Sequence, residues 1–448
     1  MTIAIRFLED PFEAERWLTR PRQLPTELPG PVRERIRDVF GEDLSALQVV
    51  ERILQAVRER GDEALRQFTL AFDGCLIEDL RVSDEEFART HDAVSADVLE
   101  ALRFARERIE RFHRRTLRHS WIEFDREGAL GQLIRPVERV GIYVPGGRAP
   151  LPSSLLMTAI PAQIAGVRDI VVCTPPGRDG RVAPVILAAA DMLGIRTVFK
   201  VGGAQAIAAM AFGTATIPKV DIVAGPGNLF VVLAKRLVYG EVGIDQLPGP
   251  TETLLIADET ANPVLCAADL LAQAEHDPLA SAILITTSRS VAERTIAELS
   301  RQLAHLARAE VARSSLEQNG AIILVPDLER AFDLANRFAP EHLCLLIREP
   351  WRYIDRVRNA GGVFLGEASP EVIGDYTAGP SHVMPTGGTA RFASPVTVDT
   401  FLKITSLVAV APGALDLLGQ PAMRLAYAEG LQAHAAAIEQ RLERLPPE

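Results

Sequence analysis

Between Val140 and Leu255, short β-branched runs alternate with Ala-rich stretches, and this alternation restricts the fold more than any other feature of the chain. Asp169-Ile170-Val171-Val172-Cys173, Thr197-Val198-Phe199-Lys200-Val201 and Val220-Asp221-Ile222-Val223 read as strands, with helical runs among them. Strands so spaced are joined by crossovers rather than hairpins, which predicts βαβ units and a parallel sheet. A second set follows at 282–285, 321–325, 343–347 and 362–365, with a helix over 328–338 among them, so two α/β domains are expected.

On either side the pattern is helical. Apolar residues recur every three or four positions through Leu47, Val50, Ile53, Leu54 and Val57, and again through Leu99, Leu102 and Ile109, which predicts a helical front end from about 30 to 118. Beyond Pro395 the chain is expected to be helical to its end. From Arg103 to Arg118, Arg alternates with Glu and apolar residues; this predicts a solvated helix face, and His113 and His119 are read as part of it.

A chain of 448 residues is too long for one compact core. Its formal net charge of −11 would repel a phosphate backbone, which speaks against nucleic-acid binding. Cys75, Cys173, Cys266 and Cys344 form no C-x-x-C pair, so neither a thiolate zinc site nor a disulfide framework is expected. A reducing cytoplasm is the compartment this predicts. No stretch has the roughly 18 uncharged apolar residues of a membrane span, and the first 20 residues do not read as a targeting signal.

The chemistry-bearing residues are few. Gly225-Pro226-Gly227-Asn228 follows a strand and opens a helix, where backbone N–H groups can approach a nucleotide's phosphates. The third glycine of the dinucleotide fingerprint is absent, and no acidic residue about 20 positions later is expected at the end of a strand. Gly202-Gly203 and Gly141 through Gly147 are two similar junctions, and all three would line one crevice or serve as ordinary tight turns. Gln273 and His276, three apart on an expected helix, share a face; with Asp375 and His434 they make an N/O donor set suited to Zn²⁺, Mn²⁺ or Co²⁺. Each alone is equally an ordinary polar residue. Glu341-His342, just after Pro340, reads either as an acid and base pair or as a polar turn ending a helix.

Taken in order, these motifs together with Gly249-Pro250-Thr251-Glu252 and Gly374-Asp375-Tyr376 closely resemble the histidinol dehydrogenase family, from about residue 30 through Glu429 and His434. The resemblance implies two Rossmann-like but incomplete parallel-sheet domains with a helical N-terminal region and a helical C-terminal tail. The expected boundaries are a helical arm over 1–29, a first α/β domain over 30–142 and 252–395 with the catalytic and most metal residues, a second over 143–251 on the NAD side, and a tail over 396–448 that reaches a partner subunit. It further implies a two-stage, NAD-dependent oxidation of L-histidinol through L-histidinal to L-histidine in a homodimer with shared sites. Gln273, His276, Asp375 and His434 match the family's zinc ligands, and Glu341 and His342 its catalytic pair. Tyr143, Gln205 and Asn228 match NAD-contacting positions. Thr251 and Glu429 match substrate contacts, as do Gln273, His276, His342, Asp375 and His434, while His382 matches a further histidine lining the site.

The chain departs from the family pattern at Pro248, Thr251, Thr253 and Ser381, none of which removes a ligand or a catalytic group. These positions leave open a related dehydrogenase acting on another small primary alcohol, such as a sulfonated diol. An inactive paralogue that binds only metal or nucleotide is the reading from another class, and the complete set of ligands and catalytic groups argues against it.

Overall fold

The computed structural model describes residues 3–19, 28–146 and 150–445, with the backbone alone at His91. Gly147, at the end of the first Gly-rich junction, and residues 20–27 of the expected N-terminal arm lie outside the described residues. The chain divides into two units, one of residues 1–116 and 138–401, the other of residues 117–137 and 402–448.

In the larger unit a six-stranded sheet runs, in spatial order, Arg6–Leu8, Ala321–Leu324, Ser281–Thr286, Glu252–Ala257, His342–Leu346 and Gly362–Leu365, with every neighbouring pair parallel. Its strand residues alternate between two cores, as a two-residue period requires. Leu255, Ala257, Leu284, Ile322, Cys344 and Leu346 meet one set of helices. Leu254, Ile256, Ile283, Ile285, Leu343 and Leu345 meet the other, which includes Leu328–Phe338. Both faces are covered, so these strands read in sequence as unbroken apolar runs. The three-residue strand Arg6–Leu8 sits in what the sequence predicts as a helical arm, and is too short to leave a periodic signal.

A second sheet in the same unit runs Val198–Lys200, Asp169–Thr174, Arg139–Tyr143, Ile222–Ala224 and Gly243–Ile244, again all parallel. The chain builds outward on one side of Arg139–Tyr143 and then returns to the other. That reversal leaves a crevice at the carboxyl ends of Arg139–Tyr143 and Ile222–Ala224, where open α/β sheets take ligands. The helices Gly30–Phe40, Ala46–Arg60 and Asp62–Asp73 share a core with this sheet through Ile36, Val50, Ile53, Leu65, Phe68, Cys173, Phe199 and Ile207.

The smaller unit is an antiparallel sheet of Trp121–Asp125, Gly128–Pro136 and Leu402–Val410, with the helices Leu415–Ala428 and Gln432–Arg444. The two helices pack on each other through Met423, Ala426, Ala435 and Ile438. The tail is therefore not helical throughout. Leu402–Val410 is rich in β-branched residues, and it pairs along its full length with Gly128–Pro136. The basic helix Ala96–His113 also corrects the expectation for one residue. His113 continues the buried row of Leu102, Ala105 and Ile109, its ring nitrogens have no hydrogen-bond partner, and burial lowers its pKa to about 4.

Candidate active site

Helix Leu328–Phe338 is ended by Ala339, whose φ of 52° is the one left-handed non-glycine conformation among the described residues. This costs about 1 kcal/mol and lets Pro340 redirect the chain. Glu341 and His342 then enter the sheet at the first residue of strand His342–Leu346, in register with Thr253. The pair thus lies at the amino ends of its strands, opposite in sense to the crevice of the other sheet.

Both side chains are almost wholly removed from water, Glu341 at 7% and His342 at 4% exposure. His342 Nδ1 lies 3.1 Å from the carbonyl oxygen of Glu252. A carbonyl only accepts, so Nδ1 carries the proton and Nε2 of the neutral ring has a bare lone pair. That Nε2 is buried without a hydrogen-bond partner and sits 3.9 Å from Asp375 Oδ1. An imidazole placed in this way can take a proton from a group brought to it.

Glu341 Oε2 is 2.5 Å from Thr251 Oγ1 and accepts from the Glu252 N–H at 3.0 Å. Burial pushes its pKa up to about 8, against the lowering effect of those two bonds. The carboxyl is therefore mostly protonated at neutral pH and can donate to Thr251. Thr251 in turn lies 2.7 Å from the Gln273 amide; turned so that its oxygen faces Thr251 and the Glu252 N–H, that amide brings its nitrogen within 3.3 Å of Glu371 Oε1. In this orientation every group in the chain Glu341, Thr251, Gln273, Glu371 has a complementary partner.

Glu371 is missed by sequence reasoning. It is 2% exposed, burial raises its pKa to about 7, and it accepts from the Thr253 hydroxyl. Its signal was its place four residues before Asp375, one turn away on the short helix Glu371–Tyr376. The departures at 251 and 253 become intelligible here, since both hydroxyls hold buried carboxyl groups. Ser381 uses its hydroxyl on the Val383 N–H, and nothing in the structure explains Pro248.

Of the residues expected to bind metal, Gln273 and Asp375 lie in this cluster. Gln273 and His276 do not share a helix, because the helix Pro263–Ala274 ends before His276. Pro278 disfavours the helical conformation at Asp277, and the Asp277 side chain accepts from the Leu279 N–H to form a turn. His276 stands in that turn, exposed. His382 donates from Nδ1 to the Asp375 carbonyl at 2.8 Å, and its Nε2 lies 3.4 Å from Ser154 Oγ. Burial lowers its pKa, opposed by the Asp375 carboxylate. In the smaller unit His434 and Glu429 are exposed along a groove with Ala422, Leu425, Ala433 and Ile438.

The three residues expected to contact NAD line a single cavity of about 570 Å³ with Gly203, Pro175, Phe230 and Asp73. Tyr143 Oη accepts from the Gly203 N–H at 3.2 Å, and burial pushes its pKa up to about 12. Asn228 caps helix Leu229–Val238 by accepting from the Phe230 and Val231 N–H groups. Gly225, at φ +111°, is obligatory, since a Cβ there would stand 2.2 Å from the Tyr143 carbonyl oxygen. The turn is gripped from beneath by a fully buried ion pair. Lys235 Nζ donates to Asp245 and to the Gly225 carbonyl, while Asp245 accepts from the Gly225 N–H.

The family model for histidinol dehydrogenase matches residues 40–442. The histidinol dehydrogenase of Deinococcus radiodurans is 55% identical over 434 residues, covering 96% of this chain and 98% of that one. The chain belongs to the histidinol dehydrogenase family. That of Thermus thermophilus is 52% identical over 399 residues, 89% of this chain and 95% of its own. The crystal structure of histidinol dehydrogenase from Elizabethkingia anophelis superposes with a TM-score of 0.91 at 37% identity and covers 99% of both chains. As a histidinol dehydrogenase the protein is an oxidoreductase of the final step of histidine biosynthesis. Among the described residues, no helix is long and apolar enough to cross a membrane.

Proposed function

We propose that this chain oxidises L-histidinol through L-histidinal to L-histidine, with a hydride passed to NAD⁺ at each stage, as a zinc-dependent cytoplasmic homodimer. The observation that carries the reading is the bare, buried Nε2 of His342, 3.9 Å from Asp375 Oδ1, on a ring whose Nδ1 lies 3.8 Å from Glu341 Oε2. In the first stage Nε2 accepts the alcohol proton as the hydride leaves the same carbon. In the second, Glu341 in its ionised form takes a proton from water as it adds to the aldehyde, His342 returns its proton to the aldehyde oxygen to complete the diol, and His342 then takes a hydroxyl proton of that diol as the second hydride leaves. Water is the only further reactant, and over the two stages two hydrides pass to NAD⁺ and three protons are released, the last as the carboxylic acid product ionises.

The donor set of Gln273, His276 and Asp375, with His434 supplied by a second copy, suits zinc: an amide oxygen, two imidazoles and a carboxylate, with no thiolate. Both lone pairs of the Gln273 oxygen are used in the orientation above, so it would release Thr251 or the Glu252 N–H to bind the ion. When bound, zinc would hold the amino and imidazole nitrogens of the substrate and so orient its alcohol carbon. The exposure of His434 and Glu429 supports a role for them in the site of a partner subunit. Tyr143, Gln205 and Asn228 would hold the dinucleotide in the crevice of the five-stranded sheet, and Thr251 the substrate.

The test offers zinc-loaded protein L-histidinol and, separately, dihydroxypropane sulfonate, before and after chelation. NAD⁺ reduction with histidinol alone, abolished by chelation, is expected. Turnover of the sulfonate alone, or full activity without metal, contradicts the reading.

A further inference from the structure

We infer that Asp73 selects NAD over its 2′-phosphorylated form by accepting the hydroxyls of the adenosine ribose. The inference rests on the reading of the Tyr143 cavity as the nucleotide site. In doubly wound sheets this task falls to an acidic residue following the second strand of the unit. Here that strand, Asp169–Thr174, runs into Pro175-Pro176 and offers no carboxylate at its end. Pro175 nevertheless lines the cavity, and the acid facing it comes from a different element.

Asp73 is the last residue of the helix Asp62–Asp73, and Gly74, at φ 74°, turns the chain away directly after it. It lines the same cavity as Tyr143, Gln205 and Asn228. Its Oδ2 is buried and has no hydrogen-bond partner. Burial raises its pKa to about 6, so it remains largely ionised at neutral pH. A carboxylate kept half-buried without donors is costly, and a vicinal diol brings the two donors it lacks. A 2′-phosphate would instead bring about two negative charges against it. Arg35, the basic group among the described residues of the cavity, is exposed, so water and salt screen it more than the half-buried Asp73.

The experiment titrates NAD⁺ and NADP⁺ separately, by calorimetry and without alcohol, into the full-length wild type and into Asp73→Asn and Asp73→Ser. Unfolding midpoints are recorded for all three. Loss of hydrogen bonds to a charged acceptor predicts NAD⁺ binding weaker by about 10–100-fold. The preference for NAD⁺ over NADP⁺ should fall by at least about tenfold in both variants, with unfolding midpoints equal to or above wild type. An unchanged preference, or an equal loss for both nucleotides, overturns the role of Asp73 while leaving the cavity assignment intact. Failure of the wild type to bind either nucleotide overturns the cavity reading and the inference with it.

Discussion

The ring of His342 is oriented by Glu252, whose carbonyl oxygen stands 3.1 Å from Nδ1. The contact is to backbone at the head of the neighbouring strand, so the tautomer that leaves Nε2 free is built into the sheet rather than into a mobile side chain.

Replacing His342 by Asn removes the base without disturbing that strand. The expected result is a fall in kcat of about 10²–10⁴-fold, the usual worth of a general base, with NAD⁺ affinity and far-ultraviolet circular dichroism unchanged. Steady-state kinetics beside a binding titration reads both.

Glu341→Gln separates the two stages. Reduction of histidinal to histidinol by NADH does not need the added water and should keep its rate to within about tenfold, whereas oxidation of histidinal to histidine should fall by about 10²-fold or more. In the wild type the water-adding stage should rise with pH toward about 8, where the buried carboxyl ionises. Stopped-flow traces of each half-reaction across pH test both points.

The same group gives a stability prediction. Its folded pKa of about 8 lies above the ordinary value of 4.5, so the protonated form stabilises the metal-free fold fully below pH 4.5, and this contribution is lost as pH rises to about 8. Glu341→Gln is neutral throughout. Thermal melts of metal-free protein should show the variant gaining on wild type across that window, by a few degrees (roughly 1 °C per kcal/mol for a chain of this length). A difference independent of pH would contradict it.

Lys235→Met leaves Asp245 charged and unpaired in a site from which both side chains are wholly buried. The expected cost is about 3–5 kcal/mol in denaturant unfolding, recovered largely by an apolar replacement of both partners. NAD⁺ affinity should fall as well, because the pair grips both backbone groups of Gly225.

Most of the larger unit was legible in sequence because its strands are buried on both faces and separated by helices, so Leu254–Ile256 and Leu343–Leu345 stand out as apolar runs. The antiparallel strands were not. Trp121–Asp125 is exposed along its whole length, and Leu402–Val410 nearly so, which leaves no alternation to read. At the site, Glu341, His342 and Asp375 were found by motif. Glu371 and Asp73 were not, since a lone carboxylate in a helix looks like surface until burial, as at Glu371, or a missing partner, as at Asp73, sets it apart. The helical spacing read between Gln273 and His276 shows the opposite failure. The helix ends at Ala274, ahead of the Asp277-Pro278 turn, so His276 is not on it.

The most direct test of the proposed reaction is to count cofactor against product. Zinc-loaded protein is given L-histidinol and excess NAD⁺, and NADH and histidine are both quantified at completion. Two NADH for each histidine, with no free histidinal, is the predicted result. One NADH with histidinal released into solution would contradict a two-stage oxidation at a single site.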